Sequence, residues 1–138
     1  MSTADTDIAD LVPADAPGSR EIGFAVPKRY NASAILFDNL AAGRSDKVAL
    51  FSPDGDVTYG ALCDSACRIG AALASLHLAR GERVLLLLDD TPVYAAAIFG
   101  ALRAGFVPVL INALSTSDLV RFYLQDSGAR VVLTMHLT

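Results

Sequence analysis

Two hydrophobic periods alternate along the second half of this chain, and each change of period marks an element. Between Arg83 and Asp89 runs Val-Leu-Leu-Leu-Leu, short and without alternation, as in a strand covered on both faces. Asp90 or Thr91 followed by Pro92 is a helix start. Residues 92–104 are apolar nearly all round, which predicts a buried helix packed closely through Ala95, Ala96, Ala97 and Gly100. Gly105 suits the position after its last turn. Val107–Ile111 then reads as a second buried strand. Ser115 and Asp118 have the spacing of a capping box, opening a helix that turns Leu119, Phe122 and Tyr123 inward and stops before Gly128. Arg130–Thr134 is the third strand. The order strand–helix–strand–helix–strand predicts parallel pairing with right-handed crossovers.

The first half is less regular. Asn31 is placed to cap a helix through about Ala42, with Leu36 and Leu40 on one face and Gly43 beyond its end. Residues 47–52 and 57–59 flank Pro53-Asp54-Gly55, a turn sequence in which proline presets one dihedral and glycine accepts a positive one. The span 47–59 is therefore expected to be a β-hairpin. Residues 60–79 place Leu62, Ala66, Ile69, Leu73 and Leu76 at spacings of four and three, an apolar stripe on an amphipathic helix. Asp64 and Arg68 fall i,i+4 on its wet side, and His77 lies near its end. Residues 1–29 carry Pro13, Pro17, Pro27, Gly18 and Gly23 without a period and read as a flexible leader. The folded part is expected to be 30–138, an α/β unit in which a helix and a β-hairpin precede a β-α-β-α-β parallel sheet.

With 138 residues the chain has room for one domain. It is 53% hydrophobic and 19% charged, with a net charge of −4 and a pI near 4.9, so a packed core is expected. No basic run interleaved with aromatics occurs, which argues against a nucleic-acid partner. Residues 94–111 satisfy a hydropathy window for a membrane span. Arg103 near the middle, with Gly105 and Pro108, makes a helix that hands over to a strand the better reading. The acidic opening has no cationic end and no apolar stretch, unlike a secretory signal. A cytoplasmic location is expected, with no membrane partner.

Candidate chemistry is sparse. Ligands of open parallel sheets bind beyond the carboxyl ends of the strands, and that end offers Asp89, Asp90, Asn112 and Thr134. Asp89-Asp90 is a carboxylate pair, or a strand exit and helix cap; the cap also accounts for Thr91-Pro92. Asn112 either meets a ligand or holds the following turn. Cys63 and Cys67 lie one helical turn apart with no further ligand nearby, and are expected to be buried, inert thiols rather than a zinc site. A catalytic His77 has no partner in the pattern. The chain carries no G-x-G-x-x-G, no G-x-x-x-x-G-K-[ST] and no Gly/Ser/Thr-rich loop with lysine. From these residues no catalytic, cofactor-binding or metal site is assigned.

VTYGAL (57–62) before a long helix, GERVLLLL (81–88) and GALRAGFVPVLIN (100–112) together resemble the beginning of the adenylate-forming superfamily: acyl- and aryl-CoA ligases, peptide-synthetase adenylation domains and luciferases. Thr58-Tyr59 with Leu62 matches its first short signature. Leu102-Arg103-Ala104-Gly105 with Pro108 matches its second. PKRYNAS (27–33), NLAAGRSDKVAL (39–50), LLLLDDTP (85–92) and LQDSGARVVLT (124–134) are similar to the benzoate-CoA ligase branch. Asn112 also favours CoA ligases over peptide-synthetase domains, which usually carry aspartate there. Ala61, where the family often has glutamate, and LSTSDLVRFYL (114–124) depart from the benzoate pattern and leave the choice of acid open.

The resemblance implies a two-step reaction. A carboxylate attacks the α-phosphate of ATP, with Mg2+, to give an acyl-adenylate and pyrophosphate; the CoA thiol then displaces AMP to give a thioester. It implies an aromatic or other small carboxylic acid as substrate, and ATP, Mg2+ and CoA as cofactors of the complete enzyme. The family's phosphate loop, magnesium glutamate, ribose aspartate, acyl pocket and mobile C-terminal lysine all lie downstream of the matched stretch. Residues 30–138 are accordingly expected to be an incomplete N-terminal subdomain, about the first quarter of such a ligase, binding no cofactor and catalysing nothing alone. The rest of the ligase chain is the protein partner this implies. The alternative from the residues is a free-standing, non-catalytic α/β binding module on the same scaffold.

Overall fold

The computed structural model describes residues 29–135. The leader expected over 1–29 therefore lies outside the described residues, except for Arg29.

The parallel unit forms as the hydrophobic periods require. β3 (Arg83–Leu87), α3 (Pro92–Ala104), β4 (Val107–Leu110), α4 (Ser117–Ser127) and β5 (Val131–Thr134) follow in that order. β3 is central, paired in parallel with β4 on one side and β5 on the other. Val84 stands opposite Pro108 and Val131, and Leu86 opposite Leu110 and Leu133. The first crossover runs from the central β3 out to β4, and the second returns past β3 to the opposite edge at β5. Right-handed connections, the rule for parallel strands, that run in opposite directions put their helices on opposite faces of the sheet.

Upstream, α1 (Ala34–Ala41) is followed by β1 (Val48–Leu50) and β2 (Val57–Thr58), which pair antiparallel, and by α2 (Tyr59–Ala74). α2 and α3 lie side by side between two apolar clusters. Towards the sheet, Leu73, Ala97 and Ala101 join Val84, Leu86, Leu88 and Phe106. On the other side, Leu62, Cys63, Ala66 and Ala96 close on Leu36 of α1, flanked by the hairpin residues Leu50 and Val57. The two helices touch without intervening side chains: a Cβ placed on Gly100 would lie 2.6 Å from the Ala66 carbonyl oxygen. Small residues are what bring the backbones that close.

Gly105 ends α3 with φ +88°, in the left-handed region. Its N–H donates to Leu102 O, and Phe106 N–H donates to Ala101 O, closing the helix as glycine caps do. The handover from helix to strand inside 92–111 is thus built. No described helix is long and apolar enough to cross a membrane.

Several expectations need correction. Asn31 is not the helix cap: α1 starts at Ala34 after Ser33. Asn31 instead closes the turn that leads into α1, its side-chain oxygen accepting from Ser33 N–H and its backbone oxygen from Ala34 N–H, both at 2.9 Å, while its NH2 group donates to Leu102 O at 2.8 Å. Leu36 is buried, but Leu40 is exposed. α2 ends at Ala74, not at 79; the chain then turns through His77, whose φ is +55°, and Leu76 is left exposed. The cap of α4 is Thr116, whose hydroxyl accepts from Leu119 N–H at 3.4 Å, so Ser115 and Asp118 do not form the expected box. β4 is an edge strand with Val107 and Leu110 exposed, not a buried one. The inward face expected of α4 is open: Leu119 and Phe122 are 45% and 55% exposed, and no α4 residue is buried.

Candidate functional site

The carboxyl end of the sheet is formed where β3 and β4 release the chain. Beyond β3, Leu88 remains buried while Asp89 and Asp90 turn out to solvent. The Thr91 N–H donates to Asp89 O at 2.8 Å, a tight turn that places Thr91 extended at the N-cap of α3, with Pro92 in the first turn. The cap reading of this stretch holds at Thr91, but its side chain makes no capping bond. Thr91 Oγ1 is buried and has no hydrogen-bond partner among the described residues.

Beyond β4, Ile111 is buried and Asn112 begins a turn. The Asn112 side-chain oxygen accepts from Leu114 N–H at 2.8 Å, and its backbone oxygen from Ser115 N–H at 2.9 Å. That is a turn-holding geometry, and it accounts for the asparagine without a ligand.

Asp89, Asp90 and Asn112 share one open cleft of about 610 Å³ together with Tyr94, Leu88 and Leu114. Thr134 is not among them. It lies in a neighbouring apolar groove of about 450 Å³ with Leu88, Val93, Ala97 and Leu133, and its hydroxyl donates to Met135 O at 3.3 Å. Tyr94 was missed by the sequence reading. Its place three residues after Thr91, with its N–H donating to Thr91 O, was the available signal, because one helical turn from the cap faces the same end.

The donor set is two exposed carboxylates, an engaged amide and a phenol. Carboxylates repel a triphosphate, and no lysine or arginine lines this cleft. Among the described residues no three of His, Cys, Asp and Glu gather in metal-ligating positions. The residues lining this cleft do not fit ATP, CoA or a catalytic magnesium ion.

The cysteines divide. Cys63 is buried, as expected, but Cys67 is exposed, in a shallow groove between α2 and α3 beside Arg103. Burial pushes the Cys63 thiol up, and the neighbouring Cys67 adds to the rise, while the Arg103 charge pulls partly back. Arg103 itself stacks over the Phe37 ring at 3.9 Å, so the basic residue of the Leu-Arg-Ala-Gly run clamps α1 onto α3. His77 is exposed in the turn after α2.

The comparisons with known proteins agree with this architecture. A 4-hydroxybenzoate–CoA/benzoate–CoA ligase of Rhodopseudomonas palustris is 42% identical over 104 residues, which is 75% of this chain and 19% of that protein. Among solved structures, the anthranilate CoA ligase AuaEII, in complex with anthranoyl-AMP, superposes with a TM-score of 0.75 at 36% identity, covering 79% of this chain and 21% of that one. A benzoate CoA ligase from Burkholderia xenovorans LB400 gives 0.71 at 39% identity, covering 77% and 22%. The chain thus spans about a fifth of the length of these relatives. The family model described as AMP-binding enzyme matches residues 37–138. The chain belongs to the AMP-binding enzyme family.

Proposed function

We propose that this chain serves as the N-terminal part of an aryl-CoA ligase of the benzoate type, which joins an aromatic carboxylic acid to CoA through an acyl-adenylate at the expense of ATP. The observation that carries the reading is the 42% identity, over 104 residues, to a benzoate-type ligase.

The role of the segment within that reaction is scaffolding. α2, α3 and β3 make a closed core, Arg103 and Asn31 fasten α1 to it, and the cleft at the carboxyl end of the sheet holds no lysine or arginine to take a triphosphate. The chain alone is therefore expected to form no adenylate. The closed core formed by α1, α2, α3 and β3 also suits a free-standing binding module, the second reading.

One experiment separates them. The purified chain is assayed for benzoate-dependent exchange of pyrophosphate into ATP, alone and after co-expression with the remaining four-fifths of the R. palustris ligase. The expected result is exchange only in the combination. Exchange by the chain alone overturns the scaffolding role, and no exchange and no co-purification in the combination favours the free-standing module.

A further inference from the structure

We propose that the cleft at the amino end of the sheet, between Arg29 and Arg80, binds the phosphate group of a small phosphorylated molecule. It lies at the opposite end of the strands from Asp89 and Asn112, and it does not depend on the ligase reading.

The observation begins with how the arginines are used. Eight lie within residues 29–135. Arg44, Arg68, Arg83, Arg121 and Arg130 each have a hydrogen-bond or ion-pair partner, and Arg103 has the Phe37 ring. Among the described residues, Arg29 and Arg80 have neither, and both line the same cleft of about 820 Å³, with Tyr30, Asn31 and Leu102. In an acidic chain, two arginines that line one cleft, with no carboxylate in its lining and none paired to either among the described residues, make a local positive site.

The walls are held in place. Asn31 ties one side to Leu102 O, and Gly81 N–H ties the other to Gly105 O at 2.8 Å. The Arg80 stem packs over Gly105; a Cβ there would lie 3.3 Å from Arg80 Cγ. The C-terminal end of α3 also opens here, and its partial negative charge opposes an anion. That charge is blunted, because the Ala101, Leu102 and Gly105 carbonyls all accept hydrogen bonds. Arginine forks match the oxygens of a phosphate, the Tyr30 side chain is exposed beside them, and the volume is that of a small-molecule site.

The test is calorimetric titration of the full chain with inorganic pyrophosphate at low salt. Binding is expected to weaken about five- to ten-fold in each of Arg29→Gln and Arg80→Gln, and less in Arg80→Lys, which keeps the charge but loses the fork. Unchanged thermal melts show that the variants fold. Binding that survives both Gln substitutions, or that vanishes when ionic strength is matched with KCl, overturns the proposal. A chain with Asp5, Asp7, Asp10 and Asp15 changed to Asn provides the remaining control. If its affinity rises ten-fold or more, the acidic leader occupies the cleft and the proposal falls; unchanged affinity supports it.

Discussion

α3 and α4 are both crossover helices of one parallel sheet, yet they are stabilised in opposite ways. α3 is apolar on nearly every side and is covered along its middle: Ala96, Ala97 and Ala101 have no exposed surface and α2 lies against its backbone, while only its ends, at Val93 and Arg103, are exposed. α4 has a sharper division between apolar and polar faces, but its apolar side chains Leu119 and Phe122 stay open to water. Its ties are few: Arg83 donates to Ser127 O at 2.7 Å, and Gly128 closes its end. A helix's apolar stripe records which side is to be covered; it does not record that the cover is present. In this chain the α2–α3 side is finished and the α4 side is not.

The comparison breaks most clearly by truncating one side chain on each side. Leu86→Ala, at a fully buried position under α3, is expected to cost about 2–5 kcal/mol, whereas Phe122→Ala is expected to stay within about 0.5 kcal/mol. Denaturant titration of the two variants measures this. Equal losses would mean that α4 is covered in solution.

Gly100→Ala sharpens the packing side of the contrast. The added methyl meets the Ala66 carbonyl and the Gly70 N–H, so the helices must separate at a cost of about 1–3 kcal/mol. The same change at an exposed helical glycine would stabilise. A neutral Gly100→Ala melt would show that α2 and α3 are looser than their contact implies.

The smallest effect concerns the thiols. Cys67 is expected to react with a thiol reagent in the native chain and Cys63 only after denaturation, giving one equivalent and then two. Because the folded Cys63 holds its proton to higher pH than the unfolded thiol, the folded state binds more protons in that window. Stability should therefore be fully present below the unfolded thiol value of about 8.5 and fall as pH rises past it. Cys63→Ala should remove that slope, which a stability-against-pH series checks.

What the sequence made legible follows from which forces are local. β3, α3 and the glycine handover at 105 could be read because an unbroken apolar run, an N-terminal proline and a left-handed cap are each encoded within a few residues. Cap positions slipped by one or two, at Asn31 and Ser115, because several neighbouring polar side chains compete for the same N–H groups and tertiary partners decide between them. The Asn31 oxygen holds Ser33 N–H, in the turn before α1, while its NH2 group reaches Leu102 O, 71 residues away, a bond that no local pattern contains. The end of α2 was missed because its apolar period continues through Leu76 after the backbone has turned. Exposure of Leu119, Phe122 and Cys67 depends on what lies across from them, which no local period contains. At the candidate site, Asp89, Asp90 and Asn112 were legible as neighbours from strand order alone. Thr134 was not separable from them without the register and the groove.

The near contact of Gly100 with Ala66 and Gly70 has one more consequence. Two helices whose main chains touch cannot slide past each other by exchanging rotamers, so α2 and α3 form a slab that opens only as a whole. Amide protons inside that slab should report the cost of global opening, while those of α4, released by breaking little more than an arginine tether, should exchange with solvent first.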